Sequence, residues 1–376
     1  MTRLQTSILA LLLLGPTLGC EEDQTKTVPA SEVDAGPVKP AVDPNVARAM
    51  AVASAAPTAA QDGPPASGVF TPGAADGRIA KGTMPQVELG GEGSGAKIAL
   101  RSLLPKPGTK QRVPVVLAFQ PGPRVPPVEV RFELSFEVQK PAEGKAELPV
   151  LIQTTDVQPG PGVGGDLPKQ LAQLKNSKIR YLLAEGGGAL GLEVELAKGA
   201  PADLEDLLRS VAENVVASQV SFPDKPVGEG AVWMSSSRGP HQGTDALAYR
   251  MVTVKKITGD GGPSTVVELE VKSKYYAADS SIRRPGIPPG LNPVMVQFRS
   301  EGQGMILLEA GKPAPEGISN LSTAVVMHDS ADTSKQMSMQ GGAQVVLGDR
   351  GKQLLEAAAA AEAQQGLPSD LDVDIP

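Results

Sequence analysis

The residue types that most often carry chemistry are scarce in this chain of 376 residues, which has one cysteine and two histidines. A thiolate is a nucleophile and a metal ligand, and histidine is the commonest general base. The cysteine, Cys20, follows a short apolar segment, whereas His241 and His328 stand apart without acids at ligand spacing. We therefore expect no metal site, with His241 in a loop and His328 at a strand end.

The motifs of common catalytic sites are also missing from the sequence. It contains no His-Glu-x-x-His run and no Gly-x-Ser-x-Gly elbow. Residues 160–165 fit G-x-G-x-x-G, but Pro159, Pro161 and Pro168 remove amides that a phosphate-binding loop needs as donors. We predict a Pro/Gly loop there, with no catalytic residue and no cofactor. A hydrolase that uses two carboxylates about 5–10 Å apart stays open as an alternative to a protein that is not an enzyme.

The amino terminus explains the position of the cysteine. Arg3, the apolar run 8–14 and then Thr17-Leu18-Gly19 precede Cys20. Seven apolar residues are too few to cross a bilayer as a helix, which takes about 20, so a cleaved targeting segment is predicted. The arrangement resembles the lipobox signal of bacterial lipoproteins, in which the cysteine is acylated, although the family prefers leucine where this chain has Thr17. An ordinary secretory signal is the alternative.

This resemblance implies a location and a membrane contact. It implies a mature chain that starts at Cys20, carries diacylglycerol and an amide-linked acyl chain such as palmitate, and is held in the membrane by that lipid. Glu21 is not the aspartate that retains enterobacterial relatives at the inner membrane, so we expect an outer-membrane lipoprotein facing the periplasm or the cell surface. The net charge of −7 and the lack of a basic stripe argue against nucleic acid as a partner.

Composition divides the chain into segments. Residues 21–84 are rich in Ala, Pro and Gly, and Phe70 is their only aromatic residue, so they predict a disordered tether, with a small domain as the alternative. The predicted segments are a signal peptide at 1–19, the tether at 20–86, a first β-rich unit at 87–220, a second β-rich unit at 221–347, and a helical or disordered tail at 348–376.

Between the tether and the tail, short apolar runs punctuated by Gly and Pro predict strands and turns. Residues 113–119, 128–138 and 148–157 are three such runs, and apolar and polar residues alternate throughout the second. Helices are predicted at 167–175, at 202–220 and, from alanine content, at 353–365. The predicted fold class is mainly β with one or two helices, as two tandem antiparallel units, with open half-barrels as one form of the sheet.

An internal similarity suggests that the two units are copies. Residues 185–193 and 301–309 share five of nine residues at an offset of 116, including two glutamates and two glycines. Residues 132–138 correspond to 248–254 at the same offset. We predict a tandem duplication and tight hairpins at both Glu-Gly-x-Gly sites, with coincidence in a Gly/Pro-biased chain as the alternative.

Residues 223–228, Pro-Asp-Lys-Pro-Val-Gly, followed by Trp233, resemble a segment of an uncharacterised family of β-rich bacterial lipoproteins. A looser analogy is the curved sheet of periplasmic lipoprotein carriers, which wraps a helix and shelters acyl chains. The aromatic residues of the second unit are predicted to form either core or an apolar groove. They are Trp233, Tyr249, Tyr275, Tyr276 and Phe298.

These observations favour a non-catalytic, membrane-anchored envelope lipoprotein that binds a partner protein or supports the envelope. The alternative is a periplasmic carrier that binds lipid or another apolar ligand in a curved sheet.

Overall fold

The structure, a computed structural model, describes residues 63–120, 127–283, 287 and 291–365. The signal segment, Cys20 and the expected tether up to residue 62 lie outside the described residues. Strands form about half of the described part, and they are joined by three helices and by short 3₁₀ turns.

The strands are named in chain order. They are β1 (Gln86–Gly91), β2 (Ser94–Ile98), β3 (Lys110–Gln120), β4 (Val128–Val138), β5 (Leu148–Pro159), β6 (Lys178–Leu183), β7 (Ala189–Glu195), β8 (Val227–Glu229), β9 (Val232–His241), β10 (Thr244–Thr258), β11 (Val266–Ala277), β12 (Pro293–Glu309), β13 (Glu316–Asp329) and β14 (Gln336–Leu347). The helices are α1 (Leu167–Leu171), α2 (Glu205–Ser218) and α3 (Gly348–Gln365).

Twelve strands form one sheet in the order β1-β9-β10-β11-β12-β13-β14-β3-β4-β5-β6-β7, and β2 pairs with β8 separately. All strand pairs are antiparallel. The predicted fold class, mainly β with a few helices, is confirmed. The two expected units share this one sheet, because β14 pairs with β3 from Gly342 opposite Gln120 to Leu347 opposite Val115.

The alternation predicted for residues 128–138 is confirmed in β4, where every second residue is buried. Phe132, Leu134 and Phe136 are at most 2 % exposed. They form the centre of a large apolar cluster with β3, β5 and β14 and with the buried leucines of α1. The predicted strands at 113–119 and 148–157 are also observed, as β3 and β5.

The sheet is strongly curved around α2. Strands β9 and β7 are second and twelfth in the sheet, so in a flat sheet they would lie about 48 Å apart. A helix is only about 10–12 Å wide with its side chains. Yet α2 packs on β7, and its residues line one pocket with residues of β9, β11 and β13. The sheet must therefore wrap around the helix, with α2 on its inner face.

The segment that follows α2 runs through the interior and is fixed by buried polar side chains. Gln219 donates hydrogen bonds from Nε2 to the Tyr181 hydroxyl at 2.9 Å and to the Pro313 carbonyl at 3.0 Å. The Trp233 indole N–H donates to the Ser221 carbonyl at 2.8 Å. Arg250 Nη1 donates to the carbonyls of Ala217 and Gln219, at 3.1 and 3.2 Å, so it caps the carboxyl end of α2.

Packing begins well before β1, which corrects part of the tether prediction. Residues 67–70 lie between the ends of β11 and β12. The amides of Ala277 and Phe298 donate to the carbonyls of Gly68 and Ser67, and the Phe70 amide donates to the Ala277 carbonyl, at 2.8–2.9 Å. Phe70 and Ile79 are buried. The predicted tether, which reaches residue 86, is therefore too long at its carboxyl end. Its apolar residues Phe70 and Ile79 pack against the outer face of the sheet.

The boundary between the two expected units also differs from the sequence prediction. β1 pairs with β9, and β2 pairs with β8. Ile98, Leu100 and Leu103 pack in the apolar cluster that contains Trp233. Residues 86–103 therefore belong with the strands of the second unit, since their apolar side chains are buried there.

The duplication stays a prediction, but the tight hairpin predicted at the second Glu-Gly-x-Gly site is wrong. Residues 184–188 form the expected tight turn between β6 and β7, where the Gly187 amide donates to the Ala184 carbonyl at 2.8 Å and Gly187 has φ +80°. Glu301, by contrast, lies inside the long strand β12, paired on both sides. Glycine inside an alternating strand therefore does not mark a turn here.

The three predicted helices are observed. The helix predicted at 167–175 is α1 followed by a 3₁₀ turn, and the helix predicted at 202–220 is a 3₁₀ turn followed by α2. Helix α3 starts at Gly348, five residues before the predicted start. Among the described helices, none combines the length and apolarity that a membrane span requires.

Candidate functional site: a polar pocket beneath helix α2

The pocket between α2 and the inner face of β11, β12 and β13 is the candidate functional site, and we call it the α2 pocket. Its cavity volume is about 50 Å³. Ser273, Gly302, Gly304 and Ser319 form its floor, at inner positions of the sheet where other strands carry large apolar side chains. The small floor residues therefore leave room beneath the helix.

The wall of the α2 pocket is polar on the helix side. Glu213 and Asn214 of α2 face His241 and Gln242 at the end of β9. Gln242 and Gly243 form the two-residue turn to β10, with φ +52° and +79°. Positive φ at both positions is the type I′ geometry, which glycine adopts freely and glutamine does not. The Gln242 amide donates to Glu213 Oε2 at 3.0 Å, so the helix holds this turn in place.

His241 lies in a buried hydrogen-bond network beside the α2 pocket. Its ring stacks on Tyr275 with centroids 3.7 Å apart and planes 3° from parallel. Nε2 of His241 shares a hydrogen bond with Ser300 Oγ at 2.8 Å, and Ser300 Oγ shares another with Thr323 Oγ1 at 2.9 Å. His241 is 8 % exposed, so the sequence prediction of a loop residue is wrong.

The distance between Ser300 and His241 matches that of a nucleophile and its base. The surroundings of Ser300 point to a structural role. Ser300 is 1 % exposed, its hydroxyl has two partners, and it is not among the residues that line the α2 pocket. We therefore interpret the network as the polar support of the turn at Gln242.

The five aromatic residues predicted as a groove or core do not form one groove. Trp233, Tyr275 and Phe298 are buried on the inner face, Trp233 in one cluster and the other two in another. Tyr249 and Tyr276 lie on the outer face beneath Phe70. The reason is strand alternation, which places the neighbours Tyr275 and Tyr276 on opposite faces of β11.

The two outer-face tyrosines have perturbed acidities. Burial raises the pKa of Tyr249, and nearby Arg78 opposes that change. Burial is also the main cause that raises the pKa of Tyr276.

The other positions singled out in the sequence have structural surroundings. His328 is the penultimate residue of β13, as expected for a strand end. A Cβ atom at Gly162 would lie 2.8 Å from the Pro127 carbonyl, so the loop of residues 160–165 packs against the start of β4. Within the described ranges, no group of three or more His, Cys, Asp or Glu side chains is placed to hold a metal ion. Cys20 lies outside the described residues.

Sequence reasoning missed the α2 pocket. One signal was present, because Gly302 and Gly304 interrupt a run of alternating strand residues. Glycine inside a strand often marks close approach by a ligand or by another backbone. No pattern in the sequence pointed to Glu213, because only the fold brings α2 to the end of β9.

No protein-family model and no curated protein sequence matches the chain.

Proposed function

We propose that this protein is a membrane-anchored lipoprotein of the bacterial envelope, acylated at Cys20, whose body is a non-catalytic binding or structural module. The observation that carries the proposal is the single cysteine placed directly after Gly19 at the end of a signal-like apolar segment. Several acyl chains on one residue would make the anchor effectively permanent.

The way the chain enters the body fits this proposal. The described chain enters through residues 67–70, which are hydrogen-bonded to both β11 and β12. Gly68 has φ +75°, and a Cβ atom there would lie 1.7 Å from the Phe298 carbonyl oxygen, so only glycine fits. A segment fastened in this way would pass force from a membrane anchor directly into the sheet.

The carrier of apolar ligands is the second candidate, and the curved sheet around a helix is the observation that favours it. Pockets for such ligands usually have about 300–1,000 Å³ and mostly apolar walls. The α2 pocket has only about 50 Å³. A depression of about 580 Å³ beside β6 and β7 is lined by Lys175, Lys178 and Lys198. The first of these two cavities is small for an acyl chain, and the second has lysines in its wall.

Acylation is tested by expressing the full chain in a Gram-negative host with labelled palmitate. We expect label and membrane recovery for the wild type, and loss of both for Cys20→Ser. Thr17→Leu is the matched control, since it brings the signal closer to the family pattern and should label at least as well. A labelled, membrane-bound Cys20→Ser protein would refute the proposal.

The body is tested separately by mass spectrometry of lipid extracted from the purified full chain. We expect no lipid in stoichiometric amount beyond the acyl chains on Cys20. Recovery of one bound lipid per chain would replace the binding or structural role with the carrier role.

A further inference from the structure

The depression beside β6 and β7, which we call the lysine hollow, concentrates positive charge on an acidic protein. Its volume is about 580 Å³, and Lys175, Lys178 and Lys198 are in its wall. Among the described residues that line it, Glu195 is the one acid. The whole chain has a net charge of −7, so the hollow is opposite in sign to the protein that contains it.

The acid of the lysine hollow is already matched by cations. Glu195 accepts hydrogen bonds from Arg180 Nη1 at 2.7 Å and from Lys178 Nζ at 3.2 Å, and these bonds lower the pKa of its carboxyl. Lys175 and Lys198 are exposed, and neither forms an ion pair within the described part of the chain. Their two positive charges are therefore not balanced by a described carboxylate.

Buried hydrogen bonds hold together the two loops that form the lysine hollow. Ser177 is fully buried, and its Oγ accepts the Ala197 amide at 2.9 Å. The Asn176 amide donates to the Thr154 carbonyl at 2.7 Å, and Gln153 Nε2 donates to Asn176 Oδ1 at 3.1 Å. The backbone around the hollow is therefore fixed, whereas the lysine side chains are flexible stems that adapt to an anion.

The charge and size of the lysine hollow indicate the chemistry of a ligand. Lysine binds phosphate as a compact point charge. A single monocarboxylate would balance only one of the two lysines that have no ion pair. The volume of about 580 Å³ lies within the range of about 300–1,000 Å³ that small-molecule sites usually have. No aromatic residue is among the described residues of the wall, so a polar ligand fits better than an apolar one.

We propose that the lysine hollow is a binding site for a small polar ligand with two phosphate groups. Lys175 and Lys198 supply the charge that the phosphates need, and Gln173 and Asn176 supply polar contacts for the body of the ligand. A soluble sugar bisphosphate and the headgroup of a lipid with two phosphates are two sources of this chemistry.

The probes separate phosphate number from the rest of the ligand. Fructose 1,6-bisphosphate, fructose 6-phosphate and fructose share a sugar, and bis(glycerophospho)glycerol is a lipid headgroup without its acyl chains. Isothermal titration calorimetry of the purified full chain measures binding. We expect the better bisphosphate to bind with a Kd of about 0.1–1 mM at low salt, and fructose to show no saturable binding.

Salt and source are read from the same titrations. Raising the salt concentration from about 10 mM to about 150 mM should weaken binding about tenfold, because the Debye length falls from about 30 Å to about 8 Å. Tighter binding of fructose 1,6-bisphosphate would assign a soluble ligand. Tighter binding of bis(glycerophospho)glycerol would assign a lipid headgroup.

A matched pair of double variants locates the site. Lys175→Gln with Lys198→Gln should weaken binding of the better bisphosphate about tenfold, because two unpaired charges are lost. Lys140→Gln with Lys145→Gln changes the net charge equally and should leave the Kd unchanged. Those two lysines are exposed in the turn between β4 and β5 and do not line the hollow.

A second pair of variants tests the acid of the lysine hollow. Glu195→Gln removes the negative charge from the wall and releases Lys178, so binding should tighten about threefold. Glu193→Gln is the same change two residues earlier on β7, outside the wall, and should leave the Kd unchanged. Equal Kd values for these two variants would place the ligand elsewhere.

The proposal stands if a bisphosphate probe saturates and only the Lys175 and Lys198 double variant loses that binding. It falls if no phosphorylated probe saturates, if fructose binds as tightly as its bisphosphate, or if both double variants bind alike. All four substituted lysines are exposed, so both variants should remain folded, and circular dichroism checks this. Acylation at Cys20 is independent of every one of these outcomes.

Discussion

The inner face of the sheet has two regions that are built alike and filled differently. In the region of β3, β4 and β5, inward residues are large and apolar, and Phe132, Leu134 and Phe136 are at most 2 % exposed. In the region of β11, β12 and β13 beneath α2, inward residues include Ser273 and Gly302. Buried residues of α2 belong to the apolar cluster of the first region, and other residues of α2 line the polar pocket of the second.

The strands of the two regions share one property and differ in another. Alternation decides which side chains point inward, and it does so in both regions. The size and polarity of those side chains then decide whether the interior is closely packed or retains a cavity. The first region is closely packed, and the second retains a small cavity with polar groups in its wall.

The largest effect is expected when a large side chain is deleted in the apolar region. Phe132→Ala should lower the free energy of unfolding by about 3–5 kcal/mol, through lost burial and the cavity left behind. Ser319→Ala in the polar region should change it by less than about 0.5 kcal/mol. Equilibrium urea unfolding of the full chain measures both. Similar losses for the two variants would mean that the regions are packed alike.

The next effect probes the polar network beside the α2 pocket. Ser300→Ala should cost about 2 kcal/mol, because it removes the buried hydroxyl that shares hydrogen bonds with His241 and Thr323. Ser322→Ala, at an exposed position of β13, is the matched control and should be nearly neutral. Urea unfolding compares the two variants. Equal stabilities would show that the network contributes nothing.

A smaller effect is expected where β10 meets the end of α2. Arg250→Met removes two hydrogen bonds to the last carbonyls of the helix, at Ala217 and Gln219. The loss should be only about 1 kcal/mol. The variant also removes the buried Nε, which has no hydrogen-bond partner in the described structure, and removing that unsatisfied group offsets part of the loss. Exposed Lys256→Met is the control. Thermal unfolding followed by circular dichroism should show a lower Tm for the first variant only.

A small gain in stability is expected from a substitution in the turn beside the α2 pocket. Gln242→Asn should raise the free energy of unfolding by less than about 1 kcal/mol, because asparagine adopts positive φ more readily in a type I′ turn. Gln336→Asn, at the extended start of β14, should give no gain. A loss of stability in Gln242→Asn would indicate that the glutamine side chain, rather than its backbone, maintains the turn.

The last predicted effect, that of Tyr181 on stability, is absent at neutral pH and is seen only at alkaline pH. Burial raises the pKa of Tyr181, and the hydrogen bond from Gln219 opposes this only partly. The unfolded chain therefore releases this proton first, near pH 10, so the contribution of Tyr181 is complete below that pH and is lost as pH rises above it. Tyr181→Phe should show a shallower loss of unfolding free energy between pH 9 and 11. Parallel losses in both proteins would contradict the assignment.

Local patterns in the sequence were enough to predict many of the elements. The alternation of residues 128–138 predicted β4, and the leucine and valine spacing after Ala202 predicted α2, because local side-chain periodicity reflects which face is buried. The acidic balance, the single cysteine and its position were also determined by sequence alone.

Tertiary structure decided how those elements combine. The pairing of β14 with β3, the location of residues 67–70 between β11 and β12, and the approach of Glu213 to the turn at Gln242 all join residues that are far apart in the chain. The physical reason is that the periodicity of a strand determines which of its faces is buried but does not specify which strand pairs with it. Pairing partners and sheet curvature depend on how all the inner faces close around α2, and that closure created the α2 pocket.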